Sequence, residues 1–352
     1  MVFDCDAFDG HEEVVFASDK GCGLRAIIAV HSTAMGPAIG GCRILPYADE
    51  AAALRDVLRL SRGMSYKACA ADVPFGGGKT VVIADPQTQK SPPLLRALGQ
   101  SVDRLGGRYI TGEDVGTTVA DMAEIRRATP HVMGLPEEKG GSGDPSPSTA
   151  LGCFVGIQRS ADHVWGKTDL KGARVLVQGL GNVGFNLCRL LAGAGASLLV
   201  SDITRDLVQR CADKFGATPV DPEAVIGTQA DIYAPCALGG VINDRTVDRL
   251  KVKIVAGGAN NQLESGHHGA ALRERKILYA PDYVINGGGM IQLAMERLGR
   301  DRVETERRVR NIGETLAKIY RAADAENTAT NIAADRLIEM KLSPRAPEAL
   351  PA

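Results

Sequence analysis

The segment "ARVLVQGLGNVGFNLCRLLAGAGASLLVSD", residues 173–202, constrains the fold more than any other part of the chain. An apolar run, Val175 to Gln178, leads into Gly179-Leu180-Gly181-Asn182-Val183-Gly184. A helical pattern with Leu187, Leu190 and Leu191 on one side follows, and a second apolar run ends at Asp202. Strand, glycine turn, helix and strand in this order predict a βαβ unit of a doubly wound parallel sheet. Each glycine has its own reason: Gly179 for a tight turn, Gly181 for close approach of a pyrophosphate, and Gly184 for close helix–strand packing. The helix N-terminus then presents free N–H groups to the phosphates. Asp202 lies 23 residues after Gly179, where a carboxylate can bind both adenosine ribose hydroxyls and would repel a 2'-phosphate, which favours NAD over NADP.

Further apolar runs follow in "ADIYAPCALGG" and "KIVAGGANNQL", and again in "ILYAPDYVINGGGMIQLAMERLG". They end in small or polar residues: Ala234-Pro235-Cys236 and then Ala237, Gly257-Gly258-Ala259-Asn260-Asn261, and Asn286-Gly287-Gly288-Gly289. Parallel strands gather such ends on one edge, where ligands bind. From Asp301 to Leu342 the pattern is mostly helical, and "SPRAPEALPA" reads as a frayed tail.

The first half holds a separate α/β pattern. "LRAIIAVHS" and "TVVIADP" read as strands, and Asp49 to Lys67 carries Leu54, Val57, Leu58 and Leu60 at helical spacing. The loop "GLPEEKGGSGDPSPS", Gly134 to Ser148, has four glycines and three prolines and reads as the hinge. The expected organisation is two domains separated by a cleft. Residues 1–147 form an N-terminal α/β catalytic and oligomerisation domain, and 148–328 a C-terminal Rossmann domain, with a last helix near 329–342 that can pack back on the first.

At 352 residues each domain can bury a core of its own. Lys plus Arg number 41 against 42 Asp plus Glu, so no basic footprint for nucleic acid exists. The acidic start lacks the apolar stretch of a signal peptide, and no run is long enough to span a membrane; the expectation is a cytoplasmic protein. Eight cysteines without a C-x-x-C pair indicate neither a disulfide framework nor a zinc site. His267 and His268, being adjacent, should point to different sides and make a poor metal clamp, so no metal is expected.

"VPFGGGKTVVI", residues 73–83, imitates the end of a P-loop. The first glycine of that motif would fall on Val73, and the apolar run follows the lysine instead of preceding the loop, so the motif fails. Lys79 belongs instead with Lys67, twelve residues earlier, and with Glu113 and Asp114 in "GRYITGEDVGTT". A substrate with a carboxylate and a carbonyl needs a cation and proton-transfer groups, which Lys67, Lys79 and Asp114 can supply. Burial and a neighbouring like charge weaken a lysine's hold on its proton, which would suit Lys79 to trade protons.

These stretches, together with "GPAIGGCR", "RLSRGMSYK", "GGGKTVVIADP", "GDPSPSTA", "APCALGG", "GGANNQL" and "APDYVINGGG", resemble the NAD-dependent amino acid dehydrogenases of the glutamate/leucine/phenylalanine/valine family, and within it the leucine dehydrogenase branch. The resemblance runs from about Val14 to about Leu337. It implies oxidative deamination of an L-amino acid by NAD and water, giving a 2-oxo acid, ammonia and NADH, in a homo-oligomer of two to eight chains. It assigns Lys67 to the substrate carboxylate, helped by the backbone at Gly40-Gly41 and by Asn261. Lys79 would activate the attacking water, and Asp114 would move protons at the amino nitrogen. Thr149, Asn182, Asp202, Asn260 and Asn286 fall where the family contacts NAD. The pocket positions match Ile39, Gly112, Met290 and Leu293, which carry no cation, so the family pattern implies an apolar side chain and not glutamate. Gly112 should enlarge the pocket and Met290 refill it, which favours branched-chain substrates with phenylalanine as the alternative. A non-catalytic NAD-binding protein is the reading from another class, and it would need a lost catalytic residue.

Overall fold

The computed structural model describes residues 2–135, 138 and 141–342. The expected frayed tail from 343 onward, and part of the expected hinge, lie outside the described residues. The chain forms two compact units. The first takes in the residues up to Gly143, Leu293–Arg300 and the chain from Glu339; the second is Asp144–Gln292 with Asp301–Ile338.

The first unit opens with β1 (Glu13–Asp19), β2 (Leu24–Ser32), β3 (Ala38–Leu45), α1 (Glu50–Ala70), β4 (Gly76–Ile83), α2 (Pro92–Asp103), β5 (Tyr109–Glu113) and α3 (Val119–Ile125). Its sheet has the order β1-β2-β4-β3-β5. β1 and β2 run antiparallel to their neighbours, while β3 runs parallel to both β4 and β5. The period of two in the strands sends alternate residues to opposite cores. Ile27, Ala29 and Val81 pack with Val57 and Leu58 of α1. Ala26, Ile44 and Val82 pack with Leu94, Leu98, Met122 and Ile125 on the other face. Each fully buried leucine or isoleucine contributes about 1.5–3 kcal/mol, so both faces stabilise the sheet.

β4 begins at Gly76, ahead of the apolar run, so Gly76 to Gly78 are strand residues. Their lack of side chains admits close neighbours: a Cβ on Gly77 would stand 2.0 Å from the backbone N of Ser65 in α1. Helix α1 therefore lies directly on β4 and carries Lys67 in its last turn.

The second unit contains α4 (Ser146–Trp165), β6 (Arg174–Gln178), α5 (Asn182–Gly193), β7 (Ser197–Ser201), α6 (Arg205–Phe215), β8 (Thr218–Pro219), β9 (Ile232–Pro235), β10 (Ile254–Val255), α7 (His267–Glu274), β11 (Leu278–Tyr279) and α8 (Asp282–Ile285). The chain goes on through α9 (Gly288–Arg297), α10 (Arg302–Arg310), α11 (Ile312–Ala325) and α12 (Thr330–Leu342). The six strands are parallel in the order β11-β10-β9-β6-β7-β8, the doubly wound arrangement expected from residues 173–202. α4 starts at Ser146, inside the segment read as loop; Pro147 sits in its first turn, where the missing N–H has no partner to lose. Among the described residues no helix is long and apolar enough to cross a membrane.

Candidate functional site

In the first unit, strand parity decides which groups meet. Val81 faces α1, so Lys79, two residues earlier, does so as well; Cys42 and Ile44 face the opposite core, so Gly41 and Arg43 share the side of Lys79. Cys42 pairs with Thr80 and Gly41 with Gly112, which sets β3 between Lys79 and the end of β5. Asp114 follows that end in a turn held by Thr117, whose hydroxyl donates to the Cys42 carbonyl at 3.0 Å and accepts from Asp114 N–H at 2.9 Å.

The result is a chain of charges. Lys79 Nζ lies 2.9 Å from Asp114 Oδ2, and Arg43 Nε donates to the same oxygen at 2.9 Å. Arg43 Nη1 donates to Asp56 Oδ2 at 3.1 Å, and Tyr47 OH donates to that oxygen at 2.5 Å. Lys79 is only 6% exposed. The sequence reading set a like charge beside it; the group against its Nζ is the Asp114 carboxylate. Burial alone would raise the Asp114 carboxyl, but the charges and hydrogen bonds of Lys79 and Arg43 outweigh it and hold the group below its ordinary value. Burial in the opposite core pushes the Cys42 thiol up to about 12, so it stays protonated.

Gly41 is needed here, because a Cβ would stand 2.5 Å from the Glu113 carbonyl and 2.8 Å from Asp114 Cβ. The Gly40 carbonyl accepts from Tyr109 OH at 2.7 Å. Ile39 is buried, and Lys67 is half-buried in the last turn of α1. The room beside Gly112 is not empty: a Cβ there would meet Met133 Cγ at 3.3 Å and Cε at 3.5 Å. The expected enlargement of the pocket at this position is therefore taken up by Met133, which the bridge between Thr111 and Val132 brings alongside. Leu293 belongs to this unit too, and its Cδ2 would lie 3.7 Å from a Cβ on Gly134.

The second unit gathers the other residues. Gly179 has φ +93°, a conformation side chains rarely adopt, and a Cβ there would strike Ala237 at 2.7 Å. A Cβ on Gly184 would stand 1.9 Å from the Gly179 carbonyl, whereas one on Gly181 would meet nothing. Tight packing at the first and third glycines with open space at the second is what a pyrophosphate-binding turn requires, and α5 opens at Asn182 with no side-chain cap. Cys236 N–H donates to the Gln178 carbonyl at 2.7 Å, so the end of β9, Ala234 to Ala237, lies beside the end of β6. Val183 Cγ1 would come within 2.8 Å of a Cβ on Gly258.

Asp202 accepts from Leu180 N–H at 2.7 Å and Thr204 N–H at 2.8 Å. The acid expected to bind ribose thus also holds the glycine turn. Asn286 is buried; its Nδ2 donates to Asn260 Oδ1 at 2.8 Å, and its Oδ1 has no partner among the described residues. A buried amide acceptor without a donor is uncommon, and it suits a ligand N–H such as that of a nicotinamide carboxamide. The residues present therefore fit a nicotinamide dinucleotide. Thr149 stands in the first turn of α4, its Oγ1 2.7 Å from where a Cβ on Gly289 would be. Met290, buried on α9, and Asn261, with φ +51°, also belong to this unit.

Sequence reasoning missed Arg43, Asp56, Tyr47 and Met133 in the first unit. In the second it missed Gln262, whose Nε2 donates to the carbonyls of Gly257 at 2.8 Å and Ala259 at 3.0 Å, and Asp282, which accepts from Gln262 N–H at 2.8 Å. Arg43 ends the quoted motif "GPAIGGCR" and could have been found there; the others carry no local signal.

Two family models match the chain. The model of the Glu/Leu/Phe/Val dehydrogenase dimerisation domain matches residues 11–131, and that of the glutamate/leucine/phenylalanine/valine dehydrogenases matches residues 140–208 and 200–340. The chain belongs to this family. It is 48% identical over 332 residues to a leucine dehydrogenase of Geobacillus stearothermophilus, covering 94% of this chain and 90% of that protein. A phenylalanine dehydrogenase of Bacillus thermotolerans is 47% identical over 340 residues, covering 95% of this chain and 89% of its own. The crystal structure of L-tryptophan dehydrogenase from Nostoc punctiforme superposes with a TM-score of 0.85 at 46% identity, covering 95% of this chain and 96% of that one. The protein is an amino acid dehydrogenase.

Proposed function

We propose that the protein catalyses the reversible, NAD-dependent oxidative deamination of a branched-chain L-amino acid to its 2-oxo acid and ammonia. The ion pair of buried Lys79 with half-buried Asp114 carries this reading, because it sets two proton-transferring groups side by side. In the proposed assignment Lys67 and the Gly40-Gly41 backbone hold the substrate carboxylate. Asp114, kept as a carboxylate by its two cations, takes a proton from the substrate ammonium so that the nitrogen lone pair can assist loss of hydride from Cα. NAD, when bound, accepts that hydride. Lys79 then directs water onto the imine carbon and stabilises the oxygen that becomes the carbonyl, and Asp114 returns a proton to the departing ammonia. On the cofactor side Thr149, Gly179 to Gly184, the strand end at Ala234 to Ala237, Asn260 and Asn286 receive NAD. The Asp202 carboxylate opposes a 2'-phosphate and selects NAD over NADP.

The branched-chain preference is supported by Ile39 and Leu293, by the absence of a cation among the expected pocket residues, and by Met133 filling the space beside Gly112. Phenylalanine is the second reading, favoured by Gly112 itself and by the relatives named for aromatic substrates. The family's dimerisation-domain model over residues 11–131 supports a homo-oligomer, and the amino acid and its products are the only partners proposed. Following NADH absorbance with L-leucine, L-valine, L-isoleucine, L-phenylalanine, L-tryptophan and L-glutamate, at about pH 9 to 10 where an appreciable fraction of amine groups is deprotonated, tests the reading. Turnover should be highest with the branched-chain group. A faster rate with phenylalanine replaces the substrate assignment, and NAD binding without any turnover overturns the enzymatic one.

A further inference from the structure

Beyond the stretches that carry Ala237 and Asn261, a second cluster of polar groups has a different chemistry. His268 Nε2 lies 2.9 Å and His267 Nε2 3.3 Å from the same oxygen, Asp244 Oδ1. One ligand atom from each of the three residues falls within 4.8 Å of the others. Although adjacent, and so expected to point apart, the two histidines open α7. There the long imidazole side chains converge on a carboxylate lying ahead of the helix, and their ring centroids are 4.0 Å apart.

We propose that Asp244, His267 and His268 form a binding site for a divalent transition cation of the zinc class. A tetrahedral site with bonds of about 2.0–2.1 Å separates neighbouring ligand atoms by roughly 3.3 Å, and both His–Asp separations lie close to this. Two imidazoles with one carboxylate select zinc, cobalt, nickel or copper over magnesium and calcium. The outer contacts suit the ligand form of each ring. Ser265 Oγ is 2.8 Å from His267 Nδ1, and the Ser265 carbonyl is 3.1 Å from His268 Nδ1. A proton on each Nδ1 is thereby accommodated, and each Nε2 lone pair is left for the metal. Ser265 N–H stands at the same 3.1 Å from His268 Nδ1, and it serves the other tautomer, in which Nε2–H donates to Asp244. His268 is 1% exposed and fixes the inner side of the site, while Asp244 at 81% leaves the outer side open to a water as fourth ligand.

The cation would tie the turn at 243–246 to the start of α7. These two segments are already joined by the Ile242–Leu263 bridge and by Glu264 N–H donating to the Ile242 carbonyl at 2.9 Å. None of the three residues has a role in the reaction proposed above, and the cation site does not depend on it.

Metal-stripped full-length protein is titrated with Co²⁺ while its visible spectrum is followed, and bound cobalt is then displaced with Zn²⁺. The expected result is one equivalent per chain, with a nitrogen/oxygen ligand spectrum and no thiolate charge-transfer band. Asp244→Ala and His267→Gln change exposed side chains; each should weaken binding by about tenfold or more while circular dichroism and turnover match the parent protein. Absence of stoichiometric binding overturns the proposal. So does a thiolate band, which would place the metal on cysteines, or an affinity unchanged in both variants.

Discussion

The two units hold their candidate residues by opposite means. In the first, charges are paired around a buried lysine: Lys79, Asp114, Arg43, Asp56 and Tyr47, the last four half-buried, form one continuous set of ion pairs and hydrogen bonds. In the second, the candidate site is built from backbone and absence: open space at Gly181, a helix start without a side-chain cap, and an Asn286 Oδ1 without a partner among the described residues. A partly buried ionic network is costly to assemble and fixes protons and orientation. A backbone cradle costs little and waits for its ligand to complete it. The contrast predicts that damage to the first unit lowers turnover, whereas damage to the second lowers cofactor affinity.

The sharpest way to break this contrast is Asp114→Asn, which keeps the shape and removes the charge that Lys79 and Arg43 share. Turnover should fall by on the order of 10³ with the NAD dissociation constant within about twofold of the parent value, as read by steady-state kinetics and cofactor fluorescence. Asp202→Ala is the counterpart in the second unit. It should weaken NAD by roughly 10-fold to 100-fold and narrow the NAD to NADP ratio; an unchanged ratio would contradict the placing of that acid. Because Asp202 also accepts from Leu180 and Thr204 N–H, its loss should lower the melting temperature as well.

Substrate choice gives a smaller effect. Met133→Ala should free the space beside Gly112 and shift the phenylalanine to leucine ratio of kcat/KM by roughly tenfold toward phenylalanine, within the 1–3 kcal/mol that such pockets discriminate. The smallest effect is on stability. Burial pushes His11 down to about 4 from an ordinary value of 6.5, and burial lowers His31 beside it as well. Between those two values the unfolded chain binds the proton that folded His11 refuses, so stability falls as the pH drops from about 6.5 towards 4, by on the order of 1 kcal/mol. Asp114 acts in a lower window: its folded value is depressed, so its contribution is present above its unfolded value of 3.8 and is lost only as pH falls through the lower folded one. Denaturant titrations at stepped pH separate the two, and His11→Gln should flatten the upper slope alone.

The two units also differ in how readily the sequence discloses them. Residues 173–202 carry their strand, turn and helix signals in one continuous stretch, and the parallel sheet follows from them. The first unit's network is not local. Arg43, Lys79 and Asp114 come together only because β3 inserts between β4 and β5, and Asp56 joins them only through the register in which α1 lies on the sheet. Lys79 and Asp114 could be named from their glycine-rich surroundings, but the residues that hold them could not. Met133 was hidden because its position depends on a single bridge at Val132. β4 was read four residues short, from Thr80 instead of Gly76, because glycines look like a turn until the helix packed against Gly77 is seen. His267 and His268 looked divergent because an average helical period says nothing about long side chains reaching back over a helix start.

The central claim, that the Lys79–Asp114 pair does proton chemistry while the second unit binds the cofactor, is tested most directly by Lys79→Ala with turnover and NAD affinity measured on the same preparation. The account predicts loss of turnover by about 10³ or more with NAD affinity nearly intact. An equal loss of cofactor affinity would mean that Lys79 contacts the dinucleotide instead, and would contradict it.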